Sequence, residues 1–394
     1  MRILMLTQVL PYPLASGPQI KSHYTLRYLA QHHRVTLVSF IRSDREARFA
    51  EALRPYCEAI HTVILPRSRL RDGFALLRAV ITGEPFVITR DHRPALYRLL
   101  DRLNGVGAFD AVHADQLNMA PYALRVRARR VLDAHNAVWR IAERLARAMP
   151  AGPLRFLARQ EAQRLKRYEG AICRAFDHVL AVSESDREAL EEAAGRGLPA
   201  LIMPIALDPE DFPPVPREPG AKGVLHIGGL HWPPNAEGIR WFLREVWGRV
   251  RAAEPEARLF LVGARPPADL RAWAARDPSV VVPGFVADPT PYWRQSAVVI
   301  VPLHAGSGIR VKILEAWSRG MPVVSTSIGC EGLIAHHGEN IWIADDPEGF
   351  AQAVVAMLRC PEEARRIGEA GRETVRALYD YRVACRPLDV VYPP

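Results

Sequence analysis

Lysine is scarce in this chain, with 4 residues against 48 arginines in a total of 394. The imbalance reads as a coding bias as much as a function, and against it Lys312, beside a glycine loop, stands out. Cysteine is sparse too: Cys57, Cys173, Cys330, Cys360 and Cys385 are scattered and odd in number. That argues against a disulfide framework or a zinc site, and for reduced thiols in a cytosolic protein. No stretch approaches about 18 uninterrupted apolar residues, so none reads as a membrane span. The amino-terminal residues lack the basic region, apolar run and small-residue cleavage site of a signal peptide, so none is expected. The first apolar strand is not followed by G-x-G-x-x-G, which disfavours a nicotinamide-dependent dehydrogenase. There is no aromatic-interleaved basic motif, so nucleic acid is not an expected partner. Short-period repeats and low-complexity tracts are missing as well.

What is present is an ordinary globular composition, 49% hydrophobic and 24% charged. The length suits two domains of about 200 residues each. Apolar strand runs alternate with amphipathic helical stretches, which predicts an α/β chain with parallel sheets. Pro204, Pro209, Pro213, Pro214, Pro216 and Pro219 make the stretch from Leu198 to Lys222 the expected boundary, with domains at 1–198 and 199–377. A tail, 378–394, is expected to return to the first domain. Charge is uneven: residues 1–200 hold 31 Lys+Arg against 20 Asp+Glu, and residues 201–394 hold 21 against 23. The excess suggests an anionic partner surface on the first half, such as a lipid headgroup or a phosphorylated acceptor, with a solvated arginine-rich face as the plain alternative.

The segment from Val298 to Leu333 carries the most chemistry. Val298 to Pro302 is a short continuous apolar run, as a buried parallel strand requires. Gly306-Ser307-Gly308 permits a tight turn with exposed amides. A helix is expected from about Arg310 to Arg319, ended by Gly320 with Pro322 beyond. Helix N-terminal amides attract anions, and carboxylates are usually preferred in that first turn. Finding Arg310 and Lys312 there instead points to a multiply charged anion, a phosphate or diphosphate. Glu315 lies about 140° around the helix from Arg310, where it can accept from sugar or ribose hydroxyls. An ordinary β-α-β unit with solvated charges is the bland alternative.

At these residues the chain resembles the retaining GT-B glycosyltransferases of family four. Their donor-site pattern is Glu, seven residues, Glu, a small residue and then Gly-x-Pro-Val-Val. Glu315, Ala316 and Gly320-Met321-Pro322-Val323-Val324 match its second half, and Ser307 stands where the first Glu falls. The resemblance covers nearly the whole chain. Met1 to Leu6 resembles the opening strand, and Leu14-Ala15-Ser16-Gly17-Pro18-Gln19 the loop after it, with one glycine where two are usual. Val224-Leu225-His226-Ile227-Gly228-Gly229 resembles the start of the second half, and Val282-Pro283-Gly284-Phe285-Val286 the loop flanking the donor base. Many members place an Arg just after the glycine and a Lys six residues later; here those positions are Leu230 and Ala236.

The resemblance implies a GT-B fold of two Rossmann-like domains with the site in a cleft between them. It implies a retaining transfer from a nucleoside-diphosphate sugar to a glycan, lipid-linked or small-molecule acceptor. The expected donor residues are Gly17, Gly229, Pro283, Gly284, Phe285, Ser307, Gly308, Ile309 and Glu315. Arg310 and Lys312 are expected to supply the charge missing at Leu230 and Ala236, so that neither metal nor other cofactor is needed. His113 and Asp115 are candidates to orient a sugar or acceptor hydroxyl, His113 being read as following a strand from Phe109 to Val112. His135 and Asn136 end the next strand and are candidate acceptor contacts. A satisfied structural histidine is the plain reading of His113. An Arg- and Leu-rich helix from Ala142 to Arg167 either packs on the sheet or docks peripherally on an anionic membrane, giving a cytoplasmic protein with contact to the inner face. A GT-B nucleotide-sugar epimerase and a non-catalytic sugar-nucleotide-binding subunit remain the alternative readings.

Overall fold

The computed structural model describes residues 1–393 apart from Gly107, Arg196 and 306–308. The chain divides into two compact units: one made of Met1–Ala206 with Tyr381–Pro394, the other of Leu207–Asp380. The first unit thus extends past the boundary expected at 198, because Ala200–Ile202 pairs as the last strand of its sheet.

The first sheet has seven strands: β1 (Arg2–Thr7), β2 (Arg34–Ile41), β3 (Ala59–Ile64), β4 (Ala111–Asp115), β5 (Arg129–Ala134), β6 (His178–Ala181) and β7 (Ala200–Ile202). Their order is β3-β2-β1-β4-β5-β6-β7, all parallel. The second sheet has six: β8 (Gly223–Ile227), β9 (Arg258–Val262), β10 (Val280–Gly284), β11 (Ser296–Val301), β12 (Val323–Ser325) and β13 (Trp342–Ile343). Their order is β10-β9-β8-β11-β12-β13, again all parallel. Both sheets are Rossmann-like, running 3-2-1-4-5-6 in their own numbering, with a seventh strand added at the end of the first.

The central strands are mostly apolar because helices cover both faces of a parallel sheet, and the polar residues His113, Asp115, Asp133 and His226 within them are buried exceptions. Leu4, Leu6, Val38, Val112, Leu132 and Val179 join one core, and Val224, Leu259, Leu261, Val298, Ile300 and Val324 the other. In such sheets ligands bind beyond the carboxyl ends of the strands, where the order reverses. That places attention beyond β1 and β4 in the first unit and beyond β8 and β11 in the second.

Three local expectations change. His113 does not follow a strand but lies inside β4, because the ladder continues through Met5↔His113 and His113↔Val131 to Asp115. The helix expected from Arg310 is Val311–Ser318, with Arg310 as its cap residue. The stretch from Ala142 to Arg167 is two helices, Val138–Ala148 and Pro153–Ala175. Pro150 and Gly152, the latter at φ 152°, interrupt them. The buried Glu169 on the second helix accepts bonds from Val138 N at 3.0 Å and Trp139 N at 2.9 Å, capping the first. Burial pushes its carboxyl up to about 7, against the pull of those two amides.

The tail residues complete the first unit. Tyr381 stacks on Tyr24, Asp389 accepts from the Tyr28 hydroxyl at 2.9 Å, and Arg129 donates to the Val391 carbonyl at 2.9 Å.

Candidate functional site

In the second unit, β8 ends at Ile227 and runs into Gly228-Gly229, while β11 leads through 302–310 into the helix Val311–Ser318. One side chain ties the two turns together. Asn235 donates from Nδ2 to the Gly229 carbonyl at 2.9 Å and accepts from Lys312 Nζ at 2.9 Å. Gly228 adopts φ 142°, and a Cβ there would fall 2.9 Å from Lys312 Nζ. A Cβ on Gly263, at the end of β9, would fall 1.7 Å from the Gly228 carbonyl oxygen. Backbone and ammonium therefore approach closely only because both positions are glycine.

Lys312 is half-buried, and its partner Asn235 is neutral. Desolvation, then repulsion by Arg310, lowers its ammonium to about 7. His226, fully buried on β8, is held well below its usual value by desolvation and by Lys312; its Nδ1 bonds the Ile300 carbonyl at 3.2 Å. Positive charge is thus concentrated at this edge, against the cost of burial. Glu315 lies one turn along the helix, where burial raises its carboxyl while Arg319, 3.3 Å away, opposes the rise. Gly284 ends β10 at φ 80°, with Pro283 before it and Phe285 after it 77% exposed. Ile309 is buried. The expected contacts at Ser307 and Gly308 lie outside the described residues.

In the first unit the strand ends meet in a buried ionic cluster. Lys21, on the helix Gly17–Leu29, places Nζ 2.8 Å from Asp133 Oδ1. Its neighbour Ser22 donates to Asp115 Oδ2 at 2.9 Å. The other oxygen of Asp115 is 2.8 Å from His135 Nε2. His113 Nδ1 bonds the Tyr392 hydroxyl at 2.9 Å, and its Nε2 lies 3.6 Å from Asp133 Oδ2. Burial alone would raise the Asp133 carboxyl, but Lys21 and the two histidines outweigh it and hold the group below the carboxylate range.

His113, Asp115 and His135 are therefore brought together, although His113 contacts the tail from within the sheet. Asn136 follows half-buried, and Gly17 opens its helix. Lys21, Ser22, Asp133 and Tyr392 were missed from the sequence, as were Asn235, Gly228 and His226. A signal existed for two of them: Lys21 is one of four lysines, and Asp133 interrupts the apolar run Val131-Leu132. Ligand atoms of His113, Asp115 and Asp133 lie within 4.8 Å of one another, a spacing that a metal could bridge. The Lys21 ammonium already stands against Asp133, where a metal's charge would go.

Comparison with known proteins places this geometry. Residues 221–360 match the family model described as glycosyl transferases group 1. The structure of Anabaena HepE in complex with UDP aligns over 99% of both chains at 15% identity, with a TM-score of 0.68. Sucrose-phosphate synthase from Thermosynechococcus elongatus aligns over 100% of this chain and 98% of its own at 17% identity, with a TM-score of 0.69. The fold is GT-B. An uncharacterized 44.6 kDa protein from the cps region of Klebsiella pneumoniae is 28% identical over 193 residues. That alignment covers 46% of this chain and 47% of the relative, so the chain matches about half the length of that curated protein. The GT-B unit that carries Lys312, Asn235 and Glu315 is the one that the family model matches. Among the described residues no helix is long and apolar enough to cross a membrane.

Proposed function

We propose that this chain is a glycosyltransferase that moves a sugar from a nucleoside diphosphate to an acceptor hydroxyl, with retention at the anomeric carbon. The observation that carries the reading is the pairing of Lys312 and Arg310 at the carboxyl edge of the second sheet, against a turn that only glycine permits. A half-buried ammonium held down to about 7 by burial and a neighbouring cation is stabilised when a dianion arrives.

The chemistry follows from that charge. The anomeric carbon–oxygen bond to the diphosphate breaks and its electron pair stays on the leaving phosphate. Arg310, Lys312 and the first amides of the helix Val311–Ser318 stabilise it, an effect worth several kcal/mol in a preorganised site. The acceptor oxygen bonds the same carbon, and its proton passes to the departing phosphate oxygen, so attack and departure share one face. Glu315 accepts from ribose hydroxyls once Arg319 yields, and Phe285 offers a ring to the base. Ser307 and Gly308 complete the donor set through the loop that precedes the helix. The two cations supply the charge that a metal would otherwise bring, so transfer proceeds without one. In the first unit, the Asp115–His135 pair, with His113 behind it and Asn136 beside it, positions the acceptor. A nucleoside-diphosphate donor agrees with the UDP bound by HepE, and a glycan acceptor of the cell envelope with the cps region that encodes the Klebsiella relative. A cytoplasmic site suits such a donor.

A panel of UDP- and GDP-sugars incubated with candidate acceptors, with products read by mass spectrometry, tests the reading. Transfer, or slow hydrolysis to the free sugar and nucleoside diphosphate, is expected. Epimer formation, or binding without turnover, overturns it.

A further inference from the structure

The helix Arg69–Thr82, after β3, has one side turned to the protein and one turned to solvent, and both are small or apolar. Each helical residue advances by about 100°. Ala75 and Ala79 are buried and mark the inner side. Leu70, Phe74, Leu77 and Ile81 recur at i, i+4, i+7 and i+11 on the opposite side, each more than half exposed; Leu70 reaches 79% and Ile81 75%. A contiguous exposed apolar stripe of this kind marks a contact surface. Arg71 and Arg78 occupy the flank between the two sides.

Both arginines face a cavity of about 200 Å³ that Arg67, Arg90 and Arg93 also line, and Asp72 is the one carboxylate in its wall. Asp91 lies just behind, but it is engaged: Arg67 is 2.7 Å from Oδ1, and Gln8 and Asn118 donate to Oδ2 at 2.5 and 2.8 Å. Arg90 Nε makes no hydrogen bond but lies 3.6 Å from the same Asp91 Oδ1, so Asp91 is shared by two guanidinium groups and leaves Arg71, Arg78 and Arg93 to face the cavity. Burial and the nearby Arg71 both lower the Arg93 guanidinium, so the cations strain against one another. Among the described residues, Arg71, Arg78 and Arg93 make no ion pair. Guanidinium forks match the oxygens of phosphate groups, and bound phosphate relieves such crowding.

We propose that this cavity binds the phosphate or diphosphate headgroup of an amphiphilic ligand whose hydrocarbon chain lies along Leu70, Phe74, Leu77 and Ile81. Phe74 belongs to both surfaces, since it lines the cavity and is 71% exposed. A free anion would leave the stripe bare, and an uncharged lipid would leave the arginines unmatched. The assignment of this ligand as a lipid-linked acceptor rests on the transferase reading; its binding does not.

Calorimetry of the full chain with geranyl diphosphate, inorganic pyrophosphate and geraniol tests the site. Geranyl diphosphate is expected to bind at least about tenfold more tightly than either comparator. Arg71→Ala with Arg78→Ala, two exposed positions, is expected to lower that affinity at least about tenfold while UDP affinity and the circular dichroism melting curve stay unchanged. Leu70→Ser with Ile81→Ser is expected to bring geranyl diphosphate down to the pyrophosphate level and leave pyrophosphate unaffected. Equal affinity for pyrophosphate and geranyl diphosphate would show a free-phosphate site and overturn the amphiphile. Undiminished binding by the double arginine variant would overturn the cavity. If geranyl diphosphate binds as expected but no sugar transfer is found, the site stands and the transferase reading falls.

Discussion

Each sheet brings charged groups to the carboxyl edge where its strand order reverses, but the two units balance them differently. In the first unit a buried cation meets a carboxylate, Lys21 at 2.8 Å from Asp133, and His135 lies 2.8 Å from Asp115. In the second, Lys312 rests on the neutral amide of Asn235 with Arg310 repelling it. The carboxylate nearest along that helix, Glu315, is taken by Arg319. The first cluster is therefore closed by opposite charges, whereas the hydrogen-bond partner of Lys312 is neutral. A buried pair resists removal of either partner, because the survivor is left uncompensated. A crowded cation behaves the other way: its loss relieves the protein and harms only binding.

Opposite signs for two lysine substitutions would be the sharpest confirmation. Lys21→Ala should destabilise the first unit by about 3–5 kcal/mol, measured by denaturant unfolding, because Asp133 stays buried without its cation. Lys312→Met should instead raise the melting midpoint, by about 2–4 °C if about 1 kcal/mol is recovered. Equal destabilisation by both would erase the contrast between the edges. Next in size is binding: Arg310→Ala with Lys312→Ala should weaken UDP or GDP about 100-fold in calorimetry, as expected when two charge-assisted bonds are lost. Unchanged affinity would remove the diphosphate from this edge.

The pH dependence gives smaller effects. The free Lys312 ammonium sits at about 7, and a bound diphosphate favours its charged form. Nucleotide affinity should be highest below that value and fall as pH rises through it, by at most about tenfold per pH unit, with proton uptake on binding at pH 8. Lys312→Met should abolish the uptake. For folding the sign is reversed: a depressed lysine favours the native state above its unfolded value of 10.5, and that contribution is lost as pH falls toward 7. Smallest is Glu169. Its carboxyl is raised from 4.5 to about 7, so its contribution to stability is full below 4.5 and disappears as pH rises through 7. Glu169→Gln should flatten the stability profile of the first unit across that window. An unchanged slope would place the titration elsewhere.

Much of the fold was legible because parallel strands buried on both faces read as apolar runs; the strand at Val298 was found that way, and the one at Val224 by its resemblance to the family. The donor edge was legible from local sequence: a glycine turn, two cations and a carboxylate within ten residues. The first cluster was not, because Lys21 and Asp133 lie 112 positions apart and only strand order brings them together. Strand β4 was ended at Val112, one residue before His113, because the apolar run stops there at a polar residue, whereas Tyr392 and Asp133 contact that imidazole inside the sheet. The interrupted helix pair was hidden by matching Arg and Leu patterns on both sides of Pro150 and Gly152.

The contact between Tyr392 and His113 means that the first unit is closed by a segment synthesised after the whole of the second. Residues 1–206 made alone would leave the Tyr28 hydroxyl without Asp389 and the histidine without its phenol. On the ribosome the second unit can finish folding first, and a tag or cut near Tyr392 would act on the opposite end of the gene's product from where it was placed.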